Sequence, residues 1–581
     1  MPGARWLFPA RERDPIRGFA ETLSIGLPAA AALLARGICD PASARRFLNP
    51  ALGDLHHPCQ LAGIESAVDC IRRAIHSQRK ILICGDYDVD GALSVILLLK
   101  AVELAGGAAD YHVPHRLKDG YGLKLETLDA AAAAGASLII SADTGIRDLE
   151  VVREAAARGL EVIITDHHLP DTALPAAAAV VNPNRRDCAY PEKNLCGAGV
   201  AFKLAHALLA TLGWPEARLR RTLESFLKLV AIATVADVVP LSGENRVIVW
   251  HGLRGLRSVR NPGLRALLLL AGVAEGSTPS AHQVAFRLAP RMNAAGRMDT
   301  ARDLVELLRT ADAGRAGELA ERLDALNAAR QQAESGILDQ ILEQCSHQPV
   351  TGSQTALVFS GAGWHRGVLG IVASRLVERF HRPVFVLSEE DALAQGSGRS
   401  VPGFHLLEAL ETMPELFLKF GGHRQAAGLT LESRQIEIFR ERLNAQAARQ
   451  LGPEDFCGQI GIDAVLELQD FDEPAIDEVL ALAPFGCGNP APRFAALALE
   501  LAAPPAIWRE KHLRLLLRQN GRSIWFQAWN FAARAGELAP GSRVDAVFRI
   551  QDDSYGAVSR WSAVLEDFRP ASRDLEAAAV A

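Results

Sequence analysis

The sequence has no CxxC pair. Its nine cysteines are scattered without regular spacing, which argues against both a zinc ribbon and a disulfide framework. Reduced thiols in a cytoplasmic protein are the expectation. No apolar run approaches the roughly 18–20 residues that span a bilayer. The longest near the start, residues 25–35, follows Glu21 and is broken by Pro28, and the arginines before it alternate with Glu12 and Asp14, unlike a secretory signal. There is no excess of positive charge either: the formal net charge is −6, so any groove for nucleic acid must be built locally. No internal repeat is visible. With 49% apolar and 22% charged residues the chain reads as a globular enzyme. Its 581 residues exceed one core and imply about three domains.

What is present begins with a change of pattern near Lys80. Upstream lie helical fragments punctuated by Pro28, Pro41, Pro50 and Pro58, with no legible motif. Downstream, residues 80–84 (KILIC), 138–142, 161–165 (EVIIT) and 179–182 predict strands, and 92–105 and 148–158 predict helices. This alternation predicts an α/β fold, a mostly parallel sheet with helices on both faces. Helices are expected at 199–213 and 222–238, and the Ala- and Glu-rich stretch 301–345 reads as a rigid helical spacer. A second α/β region starts near Thr355 and closes near Leu451. After Asp455, LRLLL, SIWFQAW and VDAVFRI predict the strands of a small β-barrel. The expected division is a helical segment 1–60, a first α/β domain 61–300, a linker helix 301–350, a second α/β domain 351–452, a barrel 453–570 and a tail 571–581.

Chemistry concentrates at strand ends. GDYDVDG (85–91) places Asp86, Asp88 and Asp90 after a buried strand and before a helix, at the carboxyl edge where parallel sheets bind ligands. Three carboxylates so close repel one another, and Mg²⁺ or Mn²⁺ would offset that repulsion; an Asp-rich capping turn is the alternative. SADTG puts Asp143 after the second strand, and TDHH puts Asp166, His167 and His168 after the third. Imidazole among carboxylates favours Mn²⁺. Asp237 sits in the apolar run IATVADVVPL and, if buried, needs a cation or a donor network.

In this order GDYDVDG, SADTG, TDHH and TVADVVPL resemble the four motifs of the DHH phosphoesterases. The resemblance implies two divalent cations, Mn²⁺ preferred or Mg²⁺, held by Asp88, Asp90, Asp143, His167 and Asp237, with Asp143 as the bridge. It places His168 on the scissile phosphate, so that Asp143, His167 and His168 form the catalytic group, with Asp86 and Asp166 orienting them. Some relatives carry a histidine ligand two residues before the first of these aspartates, where this chain has Cys84.

Two segments read as phosphate-binding glycine loops: GSGRS (396–400), with Ser397 and Arg399, and GGHRQAAG (421–428), with His423. With GWHRGVLGIVASRL (363–376) they resemble the domain that accompanies the DHH domain. PRMNAAGRMDTA (290–301) adds Arg291 and Arg297 as phosphate candidates, and VPHR adds Arg116. Further on, Trp508, Trp525, Phe526, Trp529, Phe548 and Trp561 are interleaved with Lys511, Arg514, Arg518 and Arg522, as in an oligonucleotide-binding (OB) fold. At least half of these aromatics are expected in the barrel core; Trp508, Trp525 and Trp529 are the stacking candidates. The resemblance implies a 5′→3′ exonuclease that releases mononucleotides from single-stranded DNA in repair and recombination. It further implies work alongside a single-strand-binding protein and a RecQ-type helicase; a cytoplasmic monomer, away from any membrane, is the accompanying expectation. A phosphodiesterase for oligoribonucleotides or cyclic dinucleotides would need only the two α/β domains. A non-catalytic DNA-binding scaffold would have lost several metal ligands. Both remain alternatives.

Overall fold

A computed structural model describes residues 4–9, 13–116, 119–553 and 560–571. The chain divides into two units, His56–Val239 with His251–Cys457, and Met1–Leu55 with Pro240–Trp250 and Gly458–Ala581.

The larger unit holds two sheets. The first has five parallel strands, in the order Ala109–His112, Lys80–Gly85, Ala136–Ala142, Glu161–Thr165 and Ala179–Val181. Its inner strands are near-continuous runs of buried Ile, Leu and Val because helices cover both faces. Helix Val89–Leu104, which follows the acidic motif, is buried on almost every side, and such all-round apolar character marks a core helix.

The second sheet is mixed, in the order Phe417–Gly422, Ala426–Glu432, Leu393–Arg399, Val384–Glu390 and Leu357–Ala362, with only the last two parallel. This corrects the reading of two glycine loops. Residues 396–399 belong to a central strand, and residues 421–428 form a hairpin whose connection is only 423–425. Glycine is depleted in strands, which is why composition pointed to loops. The stretch 301–345 is not one helix either. It breaks into Arg302–Arg309 and Ala313–His347, where the Asp312 carboxylate caps the second helix by accepting from Gly314 and Arg315 N–H. Nor is it a bare spacer, since Ile337 and Ile341 enter the core beneath the second sheet.

In the smaller unit, strands Phe494–Leu501, Arg543–Asp552, Trp561–Pro570, Arg522–Ala528 and His512–Gln519 pair in that order, and the last pairs back to the first, closing a barrel. Phe494, Phe526, Phe548 and Phe568 fill it. Ala29–Leu34, from helix Leu27–Ala35, joins the same core, and Arg5–Leu7 pairs with Gln459–Gly461. No single helix among the described residues is long and apolar enough to cross a membrane.

Candidate metal centre and substrate site

Strand register assembles the acidic centre. Gly85 lies opposite Ala142 and Ala142 opposite Thr165, so Asp86, Asp143 and Asp166 emerge side by side. Asp143 takes a left-handed backbone with φ of 65°, a strained conformation for a residue with a Cβ that clusters at functional sites. Asp88 caps helix Val89–Leu104, its Oδ1 accepting from Gly91 N–H at 3.0 Å. Asn293 Oδ1 accepts from Val89 N–H at 3.1 Å. Asp90 is held from the opposite side, where Gly197 and Ala198 N–H donate to its two oxygens at 2.6 and 2.8 Å. These are the first amides of helix Gly197–Ala210, whose positive end favours a carboxylate. Residue 197 must lack a side chain, because a Cβ there would lie 2.5 Å from Asp143 Oδ1. Asp237 closes helix Glu216–Ala236 at its C-cap.

His167 is the hub. Its Nε2 lies 3.2 Å from Asp143 Oδ1, 3.7 Å from Asp237 Oδ2 and 3.9 Å from Asp90 Oδ2. Ligand atoms of Asp90, His167 and Asp237 lie within 4.8 Å of one another, as do those of Asp86, Asp88 and Asp143, and those of Asp143, His167 and His168. Asp86, expected to orient ligands, is therefore grouped with them.

The electrostatics fit a cation. Burial and repulsion from Asp88 push the Asp86 carboxyl up to about 8 and Asp90 up to about 7. Burial and repulsion from Asp90 push Asp237 up to about 9 and raise Asp143 well above the usual range. Asp86 Oδ1 and Asp143 Oδ1 are buried with no hydrogen bond from any of the described residues. Burial and the neighbouring His168 pull His167 down to about 4, leaving the ring neutral, the form that binds metal. Unsatisfied buried carboxylates around a neutral imidazole are a donor set suited to divalent ions. Cys84 is outside it. Its side chain is buried with Leu82, Leu123, Leu128 and Ile139, and burial raises its thiol far above the usual range.

Asp166 serves the neighbouring histidine. Its Oδ1 lies 2.7 Å from His168 Nδ1 and accepts from His167 and His168 N–H, while Oδ2 accepts from Ile146 N–H at 3.0 Å. Burial raises the Asp166 carboxyl, but these bonds outweigh it and hold it below the usual range. Burial lowers His168, and its bond to Asp166 more than restores it, so the ring is more basic than usual. Tyr121 Oη stands 3.1 Å from His168 Nδ1. Sequence reasoning missed Tyr121, which lies in a short Gly-flanked turn with no motif around it.

Three arginines converge beside this centre. Arg116 stacks over the Tyr87 ring at 4.8 Å. Burial and the charges of Arg116 and Arg330 lower Arg297 to about 10, with Arg399 contributing and Asp88 opposing. Burial and Arg116 lower Arg399, and burial and Arg399 lower His423. Among the described residues, none of Arg116, Arg297 and Arg399 has a carboxylate partner; Arg297 and Arg399 donate only to the carbonyls of Gly367 and Gly398. Ser397 lies two residues before Arg399 and so on the same face of the strand. Arg291 is not part of this cluster. Its Nε pairs with Asp324 at 2.7 Å and its Nη1 donates to Arg287 O, so it ties two helices together.

On the barrel, two of the six aromatics, Phe526 and Phe548, are fully buried, fewer than the half expected in the core; Trp508 and Trp561 are half-buried, and Trp525 and Trp529 are exposed. Trp508 and Trp529 pack at 5.4 Å, His512 lies 4.7 Å from Trp529, and Arg509 sits 4.6 Å over Trp508. Arg518 is paired with Glu500, and Arg522 donates to Phe471 O.

Residues 80–234 match the DHH family N-terminal domain, 353–449 the DHHA1 domain and 462–567 the RecJ OB domain. The chain is 39% identical over 546 residues to the single-stranded-DNA-specific exonuclease RecJ of Bacillus subtilis, covering 94% of this chain and 68% of that protein. It is 40% identical over 452 residues to RecJ of Escherichia coli, covering 75% and 78%. The crystal structure of RecJ in complex with Mn²⁺ from Thermus thermophilus superposes with a TM-score of 0.82 at 30% identity, covering 98% of this chain and 80% of that one. Fold, site and likeness agree: this chain belongs to the RecJ family of single-stranded-DNA-specific exonucleases.

Proposed function

We propose that this chain is a metal-dependent exonuclease that hydrolyses single-stranded DNA from the 5′ end and releases mononucleotides. The observation that carries this reading is the pairing of opposites. Buried carboxylates that would otherwise be left protonated stand beside three arginines that have no carboxylate partner among the described residues. Cations would satisfy the first group and substrate phosphates the second. Two ions are proposed, Mn²⁺ preferred and Mg²⁺ accepted, one among Asp90, His167 and Asp237 and one among Asp86, Asp88 and Asp143, with Asp143 between the sets. When bound, such a pair lowers the pKa of coordinated water and draws charge from the phosphoryl oxygens.

The chain's own residues do the remaining work. Asp166 fixes Nδ1 of His168, leaving Nε2 as the nitrogen for a phosphate oxygen. Arg297 and Arg399 supply charge-assisted donors to the phosphate, with Ser397 and His423 beside them. The Trp508 and Trp529 pair and Trp525 offer stacking surfaces for bases further along the strand. A cytoplasmic, monomeric enzyme working with a single-strand-binding protein and a RecQ-type helicase belongs to the same proposal. The test is digestion of 5′- and 3′-labelled single strands, DNA beside RNA, in Mn²⁺, Mg²⁺ or chelator. Mononucleotides released from the 5′ end of DNA alone, and only with metal, are expected. Equal digestion of RNA, or release from the 3′ end first, would refute the substrate or the polarity.

A further inference from the structure

The segment 363–376 stands out in the sequence, yet the reading above gives it no task. A short turn, Arg366–Val368, leads into helix Leu369–Phe380. Gly367 packs against the main-chain carbonyl of Arg297, whose Nη1 donates back to Gly367 O at 3.4 Å. Three residues on, in the first turn of the helix, Gly370 meets Arg399. A Cβ at Gly370 would lie 2.8 Å from Arg399 Nη2, 3.4 Å from Cζ and 3.5 Å from Nη1. The guanidinium therefore occupies the space that any other residue's side chain would fill. The helix itself is anchored on another side. Arg375 Nε lies 2.5 Å from Glu334 Oε1, the other Glu334 oxygen lies 2.7 Å from Arg330 Nη1, and Glu334 is 1% exposed. A side chain added at Gly370 meets a clamped helix on one side and the flexible end of an arginine on the other. The arginine gives way.

We propose that Gly370 is a positioning residue: its missing side chain is the seat of the Arg399 guanidinium. The Gly367 to Gly370 step then sets the gap between Arg297 and Arg399, and so how closely both grip one phosphate. This inference rests on the reading of those arginines as phosphate donors. It also separates stability from function, because alanine favours a helix over glycine while displacing the donor.

The test is Gly370→Ala, alone and combined with Arg399→Ala, in the full chain. Misplacing a binding group by about 1 Å can cost up to about 100-fold, so a rise in KM for single strands of roughly tenfold is expected. The melting temperature should be unchanged or higher, kcat within about twofold, and Mn²⁺ affinity by calorimetry unchanged. In the Arg399→Ala background the glycine substitution should add nothing, since coupled residues are non-additive. A wild-type KM in Gly370→Ala, alongside a defective Arg399→Ala, would overturn this inference alone. Additive losses, or a lower melting temperature with kcat and KM both impaired, would reduce Gly370 to a packing role. A wild-type Arg399→Ala would overturn the reading of the arginines and this inference with it.

Discussion

At the acidic centre Asp90 is 2% exposed, and each of its oxygens is held by a backbone N–H. On the barrel Trp525 is 54% exposed and Trp529 40%, and Trp508 and Trp529 pack against one another with His512 and Arg509 beside them. The first arrangement is costly, because it buries like charges and tolerates little displacement. The second leaves apolar faces in water and tolerates much. Chemistry at phosphorus needs groups fixed to fractions of an ångström, whereas stacking accepts any base because every base has a π-face. The contrast predicts large, metal-linked losses at one region and graded, length-dependent losses at the other.

The largest effect is expected from Asp143→Ala. Asp143 shares one ligand set with Asp86 and Asp88 and another with His167 and His168. Losing it removes several kcal/mol of charge stabilisation, a fall in kcat of roughly 1,000-fold or more. Metal affinity by calorimetry should fall in parallel while single-strand binding and melting temperature hold. Cleavage within about tenfold of wild type in saturating Mn²⁺ would be incompatible with the metal assignment.

The same burial makes stability respond to pH. Burial and repulsion from Asp88 push Asp86 up to about 8 and Asp90 up to about 7 in the folded chain, against about 3.9 when unfolded. The folded state then binds more protons than the unfolded one across that window. The contribution to stability is complete below the unfolded value and is lost as pH rises through the folded values. Metal replaces the protons, so its apparent affinity should rise with pH over the same range. Melting curves from about pH 5 to about pH 8 should fall more steeply in chelator than in Mn²⁺. Parallel curves would mean that these carboxylates are not the groups the metal displaces protons from.

The gathering of the acidic residues was legible because parallel strands put consecutive motifs on one edge: GDYDVDG, SADTG and TDHH each follow a buried apolar run. What escaped acts through the backbone or over distance. Gly197 matters for the side chain it lacks, and Asn293 accepts from Val89 N–H 204 residues away in sequence. Arg291 looks like Arg297 in PRMNAAGR, and only the fold pairs it with Asp324. Helix Leu27–Ala35 carries no signal that it will share the core of a barrel assembled from strands beyond residue 490. For that reason deletion from about residue 455 would strip that helix of its core and is a poor probe of the barrel's role.

Point substitutions are cleaner there. Trp508→Ala with Trp529→Ala removes a packed, mutually tilted pair without touching Phe526 or Phe548 in the core. Stacking is worth roughly 1–3 kcal/mol per base, so long-strand affinity should drop by tens-fold while short-oligonucleotide cleavage stays near wild type. Equal losses on short and long strands would place the pair at the chemistry instead. Unchanged affinity would leave its exposure without a role in DNA binding.

The smallest effect is expected where sequence alone raised the sharpest doubt. Cys84 is the position at which the sequence resemblance allows a histidine ligand, and the strand that bears it ends one residue before Asp86. If its sulfur were a ligand, removing it would cost metal affinity at least as much as losing a group that orients a ligand, roughly 10–100-fold or more. The packing argues otherwise. Cys84 is 2% exposed among Leu82, Leu123, Leu128 and Ile139, and burial keeps its thiol protonated, whereas metals bind the thiolate. Cys84→Ala should therefore cost about 1 kcal/mol of stability, as a small cavity does, with Mn²⁺ affinity and kcat within about twofold of wild type. Calorimetry and a melting curve on the same preparation decide it. A stable variant with weakened metal binding would move Cys84 into the metal centre, and a destabilised variant with intact binding would keep it in the core.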